Sequence, residues 1–154
     1  MTIKVAIGYG GAKAEEVAGR LNTFLRDENL DVFFASPKSQ DLLQGINRAQ
    51  QKALIKKNFI ESHVIVYVCH DGTSDRKAVK EEMTYIIQNN LNARLIIFSK
   101  SDECIPRRVK SLWHTLHFAP EKPEESFNRL LNAIYRQYVR LSEPAEIKLE
   151  NRGV

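Results

Sequence analysis

Six consecutive apolar residues, Val64-Ile65-Val66-Tyr67-Val68-Cys69, stand between His63 and the polar run His70-Asp71-Gly72-Thr73-Ser74-Asp75. A strand with one wet face alternates apolar and polar residues, so a run that is apolar throughout fits a strand covered on both faces, in the middle of a parallel sheet. Parallel neighbours require long crossover connections, usually helical. The rest of the chain supplies them.

Ile3-Lys4-Val5-Ala6-Ile7 reads as a first strand, followed by a glycine turn, Gly8-Tyr9-Gly10-Gly11, and a helix carrying Val17, Leu21, Phe24 and Leu25 at the 3.6-residue period. Asp31-Val32-Phe33-Phe34-Ala35 reads as a second strand, stopped by Ser36-Pro37 because proline cannot donate to a ladder. A polar loop ending at Gly45 leads to a helix over 46–59, then the central strand, then a helix from after Asp75 to about Asn90. Arg94-Leu95-Ile96-Ile97-Phe98 forms the fourth strand and Leu116-His117-Phe118 a short fifth. The last helix opens at Pro123-Glu124-Glu125, with proline at its first position and acids suited to the helix dipole. It is expected to bury Phe127, Leu130, Leu131, Ile134, Tyr138 and Leu141. Five strands alternating with helices predict an α/β flavodoxin-like doubly wound sheet, all parallel, in the order 2-1-3-4-5 with helices on both faces.

Composition is that of one ordinary globular domain: 154 residues, 43% hydrophobic and 27% charged. No stretch reaches the roughly 20 apolar residues of a membrane span. Met1-Thr2-Ile3-Lys4 leads directly into a strand pattern, so a cytoplasmic protein is expected. Cys69 and Cys104 are too few and too far apart to suggest a disulfide framework or a zinc site. The net charge of +4 is spread among interleaved acids, and nucleic acid is not expected as the main partner.

Nucleotide motifs are incomplete. Gly8-Tyr9-Gly10 begins a G-x-G-x-x-G pattern, but Lys13 holds the third glycine position and Ala35-Ser36 stands where the second strand needs an acid for a ribose. There is no Walker G-K-[ST], and no pair of acids after the first strand to hold magnesium. The glycines either simply turn the chain or present amides to a phosphate, and the sequence leaves both roles open. The four histidines form no Ser/His/Asp or H-E-x-x-H arrangement, and no metal is expected. His70 alone lies at the carboxyl end of a strand; it is either a site residue or a solvated loop histidine. Trp113 is expected to pack beneath the connection between the fourth and fifth strands.

In open α/β sheets, ligands bind in the crevice beyond the carboxyl ends of the strands. Glu81 and Glu82 enter that crevice early in the third helix. Val79, Met83, Ile86 and Ile87 define its buried stripe; at about 100° per residue Glu81 lies opposite the stripe and Glu82 beside it. Glu81 is therefore expected in solvent. Glu82 is expected at the boundary between core and crevice, either in a surface ion pair with Lys80 or Arg76 or as a functional carboxylate.

Several segments, taken in order, resemble a TIR domain. Val5-Ala6-Ile7-Gly8-Tyr9, Val17-Ala18 with Leu21, and Asp31-Val32-Phe33 are similar to its first strand, first helix and second strand. Segment 36–45, closed by Asp41-Leu42-Leu43-Gln44-Gly45, is similar to the BB loop, and Ile60-Glu61-Ser62-His63-Val64-Ile65-Val66 to the entry into the central strand. The family's W-C-x-x-E-L motif falls on Ala78-Val79-Lys80-Glu81-Glu82-Met83, with Ala78 in place of the tryptophan.

The resemblance implies a single TIR-like domain over 1–142; the tail over 143–154, charged and poor in large apolar groups, is expected to be loose. It implies that Glu82 is the catalytic carboxylate of a bacterial-type enzyme that takes NAD as substrate, with no other cofactor, and releases nicotinamide by hydrolysis or cyclisation. A role in antiviral defence would follow. It further implies self-association through the loop from Ser36 to Gly45. Around Glu82, Gly8, Tyr9 and Gly10 are candidates for ribose and phosphate contacts, Tyr9 also for the missing aromatic surface, Ser36 for a hydrogen bond to the nucleotide, and His70 for a further contact. Two alternatives stand: a non-enzymatic assembly module using the same loop, and a nucleoside deoxyribosyltransferase-like enzyme. Asp71-Gly72-Thr73 before a helix bearing a glutamate is similar to the latter, although the first-strand turn departs from its usual tyrosine and proline.

Overall fold

The computed structural model describes residues 2–35, 47–109 and 114–142. Five parallel strands form one sheet in the order β2-β1-β3-β4-β5: β1 (Lys4–Tyr9), β2 (Asp31–Phe34), β3 (Val64–Cys69), β4 (Leu95–Ser99) and β5 (His114–His117). Helices α1 (Ala12–Asp27), α2 (Arg48–Glu61) and α3 (Lys77–Gln88) make the first three crossovers, and α4 (Phe127–Ser142) follows β5. This is the doubly wound arrangement that the alternating pattern predicts.

Local chemistry sets the element ends. Asn29 (φ 66°) and Asn90 (φ 57°) adopt the left-handed conformation just past α1 and α3. There the Leu30 amide bonds back to the Leu25 carbonyl and the Leu91 amide to the Ile86 carbonyl, satisfying carbonyls that the helices leave unpaired. Helix α2 starts later than the sequence suggests, because Asn47 and Gln50 form a reciprocal capping box. The predicted opening of α4 at Pro123 is a 3₁₀ turn, Pro123–Ser126, before the α-helix proper. Strand β5 lies two residues earlier than expected and β4 one residue later.

The largest departure is at β1. Gly8 and Tyr9, expected in a turn, continue the strand, and Gly8 pairs with Tyr67 of β3.

All six residues of β3 are buried. By strand parity Val64, Val66 and Val68 join a core under α1 and α4, with Leu21, Phe98, Phe127 and Leu130. Ile65, Tyr67 and Cys69 face the other way, into a core under α2 and α3 that includes Phe59, Val79 and Met83. No helix among the described residues is long and apolar enough to cross a membrane. Segments 36–45 and 143–154 and Trp113, on which expectations for a loop, a tail and a packed indole rest, lie outside the described residues, as does Ser36.

Candidate active site

A cleft of about 210 Å³ opens where the carboxyl end of β1 meets the start of α3. Gly8, Tyr9, Gly10, Arg76, Ala78 and Glu82 are among the residues that line it. The helical phase read from the sequence holds. Val79, Met83 and Ile86 are buried, Glu81 is exposed and paired with Lys52 at 3.2 Å, and Glu82 sits half-buried between core and cleft.

Among the described residues Glu82 has no ion-pair partner. Its Oε1 accepts a 2.7 Å hydrogen bond from the hydroxyl of Tyr67, a fully buried side chain on the central strand. Every fully buried side-chain nitrogen or oxygen among the described residues has a partner, and Oε2 of Glu82 has none among them. Oε2 is therefore not fully buried, and Glu82 lines the cleft. Burial pushes the Glu82 carboxyl up to about 7, against the Tyr67 hydrogen bond, which favours the charged form. The same burial, with the carboxylate beside it, holds the Tyr67 phenol well above its ordinary value, so Tyr67 acts as a hydrogen-bond donor and not as an anion.

The glycines explain how Tyr67 reaches Glu82. A Cβ on Gly8 would stand 2.5 Å from two atoms of the Tyr67 ring, so the ring crosses β1 only because position 8 has no side chain. A Cβ on Gly10 would stand 2.2 Å from Val79 Cγ2, so Gly10 lets the first turn of α3 settle against β1. Both glycines line the cleft, and both are required by packing. The residue whose turn conformation needs glycine is Gly11, at φ +100° before α1, with the Arg76 guanidinium lying along it.

Tyr9 is placed differently from an aromatic platform. Its ring packs on Phe34 at 5.5 Å, and its hydroxyl lies 2.8 Å from the Ala35 carbonyl and 3.1 Å from Glu15 Oε2. Its carbonyl faces the Tyr67 hydroxyl at 3.4 Å. His70 is not among the lining residues. It is buried on the α1/α4 side, its ring 5.9 Å from that of Phe118, and burial lowers its pKa. Its Nδ1 accepts from the Asp71 amide. The structure thus brings Gly8, Tyr9, Gly10 and Glu82 together and leaves His70 apart.

Asp71-Gly72-Thr73 has a structural task at the same end of the sheet. Thr73 Oγ1 donates to the Gly10 carbonyl at 2.7 Å and accepts from the His70 amide, fixing the β3 turn to β1. Asp71 receives Lys100 at 2.9 Å and Lys13 at 3.5 Å, and these ammonium groups hold its carboxyl below the usual range.

A second cleft, of about 150 Å³, adjoins the first and shares Ile55, Ala78 and Glu82 with it. Arg48, Lys52 and Lys56 of α2 line it. Ala78, where the family motif has a tryptophan, and Glu82 line both clefts. Sequence reasoning missed Tyr67 and these three cations. A lone tyrosine in an otherwise aliphatic strand was the available signal, since a buried hydroxyl must find a partner.

Among the described residues no group of three or more His, Cys, Asp or Glu is placed to hold a metal ion. The chain matches no protein-family model and no curated protein.

Proposed function

We infer that this protein is a TIR-like NAD-processing enzyme that cleaves the bond between nicotinamide and ribose, with Glu82 as its reacting carboxylate. The observation that carries the reading is the state of Glu82: half-buried, held at Oε1 by Tyr67, and lining a cleft at the carboxyl end of β1. The resemblance of Ala78-Val79-Lys80-Glu81-Glu82-Met83 to the family motif supports the same residue.

The chemistry follows from the charges. The nicotinamide of NAD is cationic and leaves neutral, taking the electron pair of the C1′–N bond, so no acid is needed to protonate it. The ribose carbon becomes oxocarbenium-like, and a carboxylate beside it stabilises the developing charge or orients the ribose hydroxyls. Water then attacks and loses a proton, or a ring nitrogen of adenine attacks and closes a cycle. A carboxyl near 7 is partly protonated before substrate arrives, and the cationic ring shifts it to the charged form when it binds.

The deoxyribosyltransferase alternative draws on Asp71-Gly72-Thr73, whose side chains hold the β3 turn in place. Self-association through 36–45 belongs to the proposed reading and makes activity depend on protein concentration. Purified protein incubated with NAD over a wide concentration range is expected to release nicotinamide, and a Glu82→Gln variant of equal stability is expected to release less by several orders of magnitude. Wild-type protein silent at every concentration would sink the proposal.

A further inference from the structure

We propose that the cleft along α2 is the phosphate subsite of the substrate, so that the enzyme takes a nucleoside diphosphate derivative and not a free nucleoside. The assignment rests on the reading of Glu82 as the reacting carboxylate, because Glu82 lines both clefts. It is carried by the composition of the two clefts that meet there. The first offers one cation, Arg76. The second offers three, Arg48, Lys52 and Lys56, from successive turns of one face of α2, above a floor made by Ile55 and Ala78.

The three cations are engaged to different degrees. Lys52 is bonded to Glu81 at 3.2 Å, which keeps its ammonium beside α3. Lys56 Nζ lies 5.3 Å from the centre of the Tyr85 ring, a contact that holds the charge in place without neutralising it. Arg48 has no hydrogen bond or ion pair among the described residues, and its planar guanidinium matches two phosphate oxygens. Among the described residues that line this cleft, two acids, Glu81 and Glu82, oppose the three cations. The cleft therefore carries surplus positive charge next to the group proposed to face the ribose. A pyrophosphate one sugar away from the scissile bond fits that order of charges.

ADP, adenosine and inorganic pyrophosphate are the probes, followed by amide chemical shifts of the full chain and by calorimetry. ADP is expected to bind about tenfold or more tightly than adenosine, with shifts centred on Arg48, Lys52 and Lys56 and a loss of affinity at higher salt. Arg48→Ala and Lys56→Gln, whose unchanged melting temperatures certify the fold, are expected to remove most of that difference. Glu82→Gln, which removes a negative charge from the same cleft, is expected not to weaken ADP binding. Equal affinity for ADP and adenosine, shifts confined elsewhere, or undiminished ADP binding in both cation variants overturns the subsite. ADP binding at α2 without any nicotinamide release from NAD supports the subsite and overturns the proposed chemistry instead. NAD turnover at undiminished kcat/KM in both cation variants overturns the subsite and leaves the chemistry standing.

Discussion

The ring of Tyr67 occupies the space that a side chain at Gly8, its registered partner across β1 and β3, would fill. That pairing carries the phenol over the sheet to Glu82, 2.7 Å away, and makes a core glycine part of the site.

Gly8→Ala tests the pairing. A Cβ 2.5 Å from a fully buried ring forces a shift, and overpacking of this kind costs about 1–3 kcal/mol. Urea unfolding is expected to show that loss, and most of it should vanish when Tyr67→Leu is the background. Additive losses in the double variant would show that the ring is not what Gly8 accommodates.

Tyr67→Phe removes the hydrogen bond that favours ionised Glu82. The carboxyl then titrates above its wild-type value of about 7, by roughly one pH unit. Carboxyl-carbon NMR of Glu82 reads the shift directly. Nicotinamide release should fall severalfold at pH 7 and recover near pH 9; a pH-independent loss would instead indicate a displaced carboxylate.

Stability should also follow Glu82. Its folded value near 7 lies above the ordinary 4.5, so below 4.5 the group is protonated in both states and contributes nothing. Between 4.5 and 7 the unfolded chain has released a proton that the native state keeps, and stability falls as pH rises. Above 7 the full cost is present. Glu82→Gln preserves the acceptor for Tyr67 and removes the charge, so it should match wild type at pH 4 and exceed it by about 3 kcal/mol at pH 8 in thermal unfolding. A variant equally destabilised at both values would contradict the assigned burial cost.

Binding of a cation should expel the proton. At pH 7, carba-NAD, which keeps the cationic ring and the pyrophosphate but has no cleavable glycosidic bond, is expected on titration into wild-type protein to give calorimetric heats that differ between Pipes and Tris by a fraction of a proton, and Glu82→Gln should abolish the difference. Identical heats in both buffers for wild-type protein would mean that the ligand does not meet Glu82.

Much of this was legible in the sequence. The uninterrupted apolar run Val64–Cys69 and the flanking helical periods identify the sheet and its order, and the phase of α3 separates Glu82 from Glu81. Parity on β3 also held information: it puts Tyr67 with Ile65 and Cys69 on the α2/α3 side and directs His70 with Val66 and Val68 toward Phe118. Gly8 was opaque because its requirement lies in a neighbour from another strand, and a glycine after Ile7 reads locally as a turn. The alignment of Arg48, Lys52 and Lys56 against α3 is a tertiary register, which the weakly amphipathic α2 does not announce.

The two cores share the sheet but no side chain. Leu21, Leu130 and Ile134 govern how tightly α1 and α4 hold, while Tyr67, Val79 and Phe59 govern where the carboxylate stands. Exchange of aliphatic residues under α1 and α4, away from Tyr9, therefore offers a lineage adapting to warmer or colder surroundings a way to raise or lower its melting point that leaves the Tyr67–Glu82 pair in place.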